Sequence, residues 1–225
     1  MRWGPRPGAR VAETAVIPGE GRITGVEPDP RRAGAVRIAV DGRPRWTVGA
    51  DAVLGVVAGC RLDEALLVRL ETAADAEAAF RTLLRCLTRR GFARGDLGRR
   101  LKQRGHPVPA VDSALDRAQG LGLLDDTVFA RTYMETRATR GRGPARVARD
   151  LGAMGVERGI IERTLAAWPA SAAPEQLARE LATKRVLQLK GLDRVTRRRR
   201  LVAFLARRGF TGSAVMAVVR EVLGG

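Results

Sequence analysis

The sequence predicts an all-α array of tandem three-helix modules, preceded by a small β-hairpin N-terminal extension. Two observations predict it. The first is a skeleton that recurs three times around a glycine: with the glycine as zero, apolar residues stand at −8, −4, +6 and +10. They are Leu97, Leu101, Val111 and Leu115 around Gly105; Val147, Leu151, Ile161 and Leu165 around Gly155; and Leu201, Leu205, Val215 and Val219 around Gly209. Self-similarity at this scale marks a repeat architecture. The second is a change of period near Leu62, from alternating to helical spacing.

Taken in chain order, residues 1–20 are rich in Gly, Pro and Arg, lack a period, and are expected to be disordered. Residues 21–62 form the β-rich extension. Arg22–Val26, Ala35–Val40 and Arg45–Val48 alternate, and Asp41-Gly42 is a strong hairpin signal between the last two, giving two or three short antiparallel strands. A short helix is expected around Ala50–Val57, and a helix rich in Ala, Leu and Glu after Leu62. The first module, 75–124, opens on Phe80, Leu83, Leu84 and Leu87 at helical spacing.

Within each skeleton, −8 and −4 share one helix face and +6 and +10 share another. The glycine falls between, where a helix ends in the left-handed conformation. Arg104 and Arg208 precede two of these glycines, which suits a helix C-terminus. Gly120 and Gly122 end the first module. Asp125 caps the opening helix of the second module, 125–168, whose stripe is Phe129, Ala130, Tyr133 and Met134, with Leu124 and Phe129 placed for a hydrophobic staple. Asp125-Asp126 are read as this helix start in preference to an acid/base or metal site, because they stand just before an apolar stripe. Trp168-Pro169-Ala170-Ser171 through Pro174 marks the joint to the third module, 173–223, opened by Leu177, Ala178, Leu181 and Ala182.

Composition narrows the function classes. The chain of 225 residues carries 41 Lys/Arg against 24 Asp/Glu, a net charge of +17. Residues 1–77 hold 11 of each sign, residues 78–168 hold 18 basic and 9 acidic, and residues 169–225 hold 12 and 4. The whole excess therefore lies on the helical array. A GC-rich coding bias explains Arg in place of Lys; it does not explain the excess of base over acid. No apolar run approaches the ~20 residues that span a bilayer, and no signal-peptide pattern is present. Cys60 and Cys86 lack metal-ligand spacing; a pairing between them is left open, and a reducing, cytoplasmic home fits best. The single histidine, His106, follows a repeat glycine, where Val156 and Phe210 stand in the other copies, and is read as a junction residue. Gly141-Arg142-Gly143-Pro144 does not match a phosphate loop and reads as a basic helix joint. No catalytic constellation, metal or cofactor site is expected.

The candidate contact residues are basic and fall on, or just before, the middle helix of each module. They are Arg94, Arg99, Arg100, Lys102 and Arg104; then Arg137, Arg140, Arg142, Arg146 and Arg149; then Arg197, Arg198, Arg199, Arg200, Arg207 and Arg208, with Arg194 beside them. The seam uses −8 and −4, so the charges occupy outer faces, and stacked modules would align three basic helices. Such a surface favours a polyanion, whose released counterions drive the complex. Aromatics are too scarce on these faces for a base-stacking platform. Helix-turn-helix geometry would allow base readout, yet Asn is absent and Gln is limited to Gln103, Gln119, Gln176 and Gln188.

Gly122-Leu123-Leu124-Asp125-Asp126 with Phe129-Ala130, continued by Arg137, Gly141, Gly143-Pro144, Arg146, Leu151 and Gly155-Val156, resembles the most recognisable segment of the RecX regulators of bacterial recombinase. Ile23, Val26-Glu27, Val40-Asp41-Gly42, Gly59 and Leu62-Asp63-Glu64 are similar to the N-terminal extension many members carry, so the resemblance spans roughly residues 22–223. It implies a non-enzymatic protein that binds RecA and lodges along the groove of the RecA–DNA filament. There it would restrain strand exchange, ATP turnover and co-protease activity. The arginine-heavy third module departs from the pattern toward stronger DNA contact. The expected partners are RecA and single- or double-stranded DNA, with no membrane and a monomeric chain. The alternatives are a stand-alone helix-turn-helix-like DNA-binding protein and, least favoured, an enzyme acting on DNA.

Overall fold

The computed structural model of the chain describes residues 21–169 and 173–224. The expected disorder of 1–20 and the Ala170-Ser171 part of the second joint lie outside these residues. Three antiparallel strands, β1 (Ile23–Pro28), β2 (Ala35–Val40) and β3 (Arg43–Gly49), form a sheet of order β1-β2-β3. Val40 pairs with Arg43 across the two-residue turn Asp41-Gly42, and both turn residues have positive φ, 48° and 78°. That is the primed turn whose twist matches the strands.

Alternation sends Ile23, Ile38, Val40 and Val48 to one face, where they pack with Leu62 and Leu70. Leu70 belongs to α1 (Glu64–Leu87), 24 residues capped by Asp63, whose carboxylate accepts from the Leu66 N–H at 2.7 Å. The sheet thus leans on the first half of α1, and α3 packs on α1 further along, where its Arg117 reaches Glu77 and Phe80. The helix expected at Ala50–Val57 is a 3₁₀ turn of only Ala50–Val53. Gly55 and Gly59, at φ 77° and 97°, divert the chain before a helix can propagate.

The remaining helices are α2 (Arg94–Gln103), α3 (Val108–Gly120), α4 (Asp126–Ala138), α5 (Pro144–Ala153), α6 (Arg158–Ala166), α7 (Pro174–Leu187), α8 (Arg194–Arg208) and α9 (Ser213–Gly224). The chain forms two compact units. Among the described residues, one comprises 21–91 together with Asp96–Leu124; the other comprises Phe92–Gly95 together with 125–169 and 173–224.

The recurring glycine is a recurring backbone motif. Gly105, Gly155 and Gly209 have φ of 86°, 84° and 93°. Each glycine N–H donates to the carbonyl three residues back, at Lys102, Gly152 and Ala206. The next N–H, of His106, Val156 or Phe210, donates to the −4 carbonyl of Leu101, Leu151 or Leu205. These paired bonds satisfy carbonyls that the helix end leaves open. Ten of the twelve skeleton residues are buried; Ile161 and Leu165 are partly buried and pack on the core of the second module.

Within the second unit, α4–α6 and α7–α9 each enclose their own apolar cluster. The joint between α4 and α5 sits directly on the end of α8. The Gly143 N–H donates to the Arg208 carbonyl at 2.8 Å, and the Ala145 N–H to the Gly209 carbonyl at 3.1 Å. The first N–H groups of α5 thereby satisfy the last carbonyls of α8, and the two helix dipoles meet head to tail. A Cβ on Gly143 would stand 2.5 Å from the Gly209 carbonyl oxygen, and one on Gly209 would run into the Arg146 backbone, so this approach requires both glycines.

Candidate nucleic-acid interface

Asp125 caps α4, accepting from the Thr127 and Val128 N–H groups at 2.7 and 3.1 Å. Asp126 accepts from the Arg94 N–H at 2.8 Å. Both aspartates are therefore occupied by backbone amides. Among the described residues no group of three or more His, Cys, Asp or Glu is placed to hold a metal ion. Cys60 and Cys86 are free. No described helix is long and apolar enough to cross a membrane.

His106 fills a junction. The Thr82 hydroxyl donates to the Ala78 carbonyl and accepts from Arg85, so His106 Nε2, 3.0 Å from that hydroxyl oxygen, is its second donor. Burial pushes the imidazole below its ordinary pKa.

The predicted contact residues differ in how far they are neutralised. In the first module, Asp96 gathers Arg90, Arg99 and Arg100 at 3.6, 3.7 and 3.4 Å. Arg104 places Nη1 3.0 Å from the buried Cys86 Sγ, and Lys102 is exposed. In the second module, Arg146 pairs with Asp150 at 2.9 Å, and the Tyr133 hydroxyl donates to the same carboxylate at 3.2 Å. Arg137 lies over the Tyr133 ring at 4.8 Å. Arg140 and Arg149 are exposed and Arg142 is half-buried at the joint before α5.

In the third module the middle helix α8 carries no acidic residue. Its N-cap Asp193 accepts from the Thr196 N–H at 2.9 Å, a bond that holds this carboxyl below the usual carboxylate range. Arg198, Arg199, Arg200 and Arg207 are exposed, and Arg197 is half-buried with its Nε covered. Arg208 turns back over Phe204, its guanidinium carbon 4.8 Å from the ring centroid.

One cation escaped the sequence reading. Arg185, in the last turn of α7, lies over the same Phe204 ring at 5.4 Å. Nothing in local spacing ties it to α8. These guanidiniums are permanently charged forks suited to phosphate or carboxylate oxygens. The arrangement can bind an anionic polymer.

Family comparison bears on the same helices. RecX third three-helix domain matches residues 174–219, and RecX second three-helix domain matches residues 125–165. The Regulatory protein RecX of Streptomyces coelicolor is 36% identical over 142 residues, covering 62% of this chain and 74% of that protein. The chain belongs to the RecX family. The RecX of Thermobifida fusca is 37% identical over 143 residues, covering 62% and 76%, and that of Mycobacterium tuberculosis 36% over 140 residues, covering 60% and 80%. A crystal structure of regulatory protein RecX superposes with a TM-score of 0.72 at 23% identity, covering 91% of this chain and 98% of that one. RecX from Lactobacillus salivarius gives 0.59 at 17%, covering 66% and 96%. At those identities the likeness speaks for the RecX fold: three-helix domains with a small antiparallel sheet before them.

Proposed function

We propose that the chain regulates RecA without chemistry of its own: it binds RecA and the RecA–DNA filament in the cytoplasm and lowers recombinase, ATPase and co-protease activity. Membership in a family of regulatory proteins supports this reading. The observation that carries it furthest is the confinement of the +17 excess to residues 78–225, which are almost wholly helical array. A filament is a periodic polyanion, and modules at 75–124, 125–168 and 173–223 can meet it through repeated weak contacts. The sixteen basic residues named from sequence are the contacts in this reading, with those of α8 the least neutralised. The protein acts as a monomer, and residues 21–62 are an adjunct to the modules.

RecA ATPase on single-stranded DNA, titrated with this protein, is the test. Turnover should fall with dose, and gel shifts should prefer RecA-coated over naked DNA. A preference for one naked duplex sequence would instead indicate a stand-alone DNA-binding regulator.

A further inference from the structure

We propose that Arg185 and Arg208, held on the Phe204 ring, form a backbone-phosphate seat for nucleic acid on the third module. The inference deepens the reading that the array contacts a nucleoprotein filament and rests on it.

Among the described residues, neither of these cations is paired with a carboxylate. Both guanidinium carbons lie within cation–π range of one ring, at 5.4 Å for Arg185 and 4.8 Å for Arg208. Arg185 donates from Nη1 to Gln188 Oε1, and its Nε is buried without a hydrogen-bond partner. Arg208 Nη1 lies beside Gly141, 3.3 Å from where a Cβ on that residue would stand. The groups that hold these cations, the Phe204 ring for both and the Gln188 amide for Arg185, are neutral. Gly141 stands between Arg140 and Arg142, so two further cations flank this joint in the chain. Like charges brought together repel, and an anion between them relieves the repulsion.

Comparison of the repeats shows how this module differs. Asp96 stands at −9 in the first middle helix and Asp150 at −5 in the second, each pairing with arginines. Phe204 occupies −5 in the third. Relative to the second module, a phenyl ring stands where Asp150 does, and arginines stack on it instead of pairing with a carboxylate.

Stacking identifies the ligand. A guanidinium held on a ring is already ordered and loses little further entropy when its remaining N–H groups, Nη2 in Arg185, take an anion. With guanidiniums over it, the Phe204 ring is a poor platform for a nucleobase. The seat therefore takes the phosphodiester backbone, independently of sequence, and serves single strands and duplexes alike.

The experiment measures affinity of the full-length protein for a mixed-sequence fluorescent oligonucleotide across a salt series, with circular dichroism confirming the fold of each variant. Arg185→Gln with Arg208→Gln should flatten the slope of log K against log salt by about 1.4–1.8, the share of two phosphates at 0.7–0.9 each. Arg185→Lys with Arg208→Lys should restore the slope but bind several-fold more weakly, because charge returns without the fork. Phe204→Leu should weaken binding with both arginines present. A folded double Gln variant with the wild-type slope overturns the seat while leaving DNA binding by the array intact. A double Gln variant impaired only toward RecA without DNA also overturns it, in favour of an acidic protein surface. A wild-type chain that binds no oligonucleotide overturns the seat together with the reading beneath it.

Discussion

Gly105 and Gly209 occupy the same place in the repeat and have nearly the same φ, 86° and 93°, but different surroundings. Around Gly105 a Cβ would meet nothing within 4 Å; at Gly209 it would strike the Arg146 backbone. Gly105→Ala should therefore cost only the left-handed backbone penalty, about 1 kcal/mol. Gly209→Ala adds overpacking against backbone and should cost about 3 kcal/mol. Denaturant midpoints of the two variants test this, and equal values would mean the joint at Gly143 and Gly209 yields freely. His106 gives a second residue-scale test. Its folded pKa lies below the ordinary 6.5 because burial disfavours the imidazolium. The unfolded chain then takes the proton first as pH falls, so stability is full above about pH 6.5 and declines below it. His106 is the chain's one histidine. His106→Gln keeps a donor toward Thr82 and should remove most of the stability difference between pH 7.5 and 5.5.

At the scale of elements, α8 is the basic helix without an internal acid, whereas α2 and α5 contain Asp96 and Asp150. Replacing Arg197, Arg198, Arg199 and Arg200 by Ala should weaken filament inhibition while the fold survives, since alanine is the better helix former and exposed arginines contribute little. Replacing Arg94, Arg99 and Arg100 should weaken it less, because Asp96 already answers two of them. RecA ATPase inhibition by both variants and their combination decides this; a folded fourfold variant that inhibits like wild type would remove α8 from the contact surface. The elements were legible where their signal was local. Apolar residues at −8, −4, +6 and +10 report burial on a helix face, Asp41-Gly42 reports its own turn, and the Asp125 cap lies beside its amides. The extent of α1 was less legible, because its first half packs on strands in place of helices. The Arg185–Phe204–Arg208 stack and the Gly143–Gly209 contact join different helices, and no spacing within one helix encodes them.

For the whole molecule, charge divides the chain near residue 77, while the backbone does not: that point lies inside α1. The charged array and the helix that carries its boundary are therefore one covalent and structural piece. Several neutralised phosphates at 0.7–0.9 each should give a DNA-binding slope of about −4 or steeper against log salt, and a flat dependence would remove the electrostatic account. The central claim is that this basic RecX-family array restrains RecA. Its most direct measurement is the rate of ATP hydrolysis by RecA on single-stranded DNA as the intact protein is titrated in. The rate should fall progressively to a low plateau, with wild type more potent than the fourfold α8 variant. A rate unchanged at protein concentrations that saturate binding to the RecA-coated strand would contradict it.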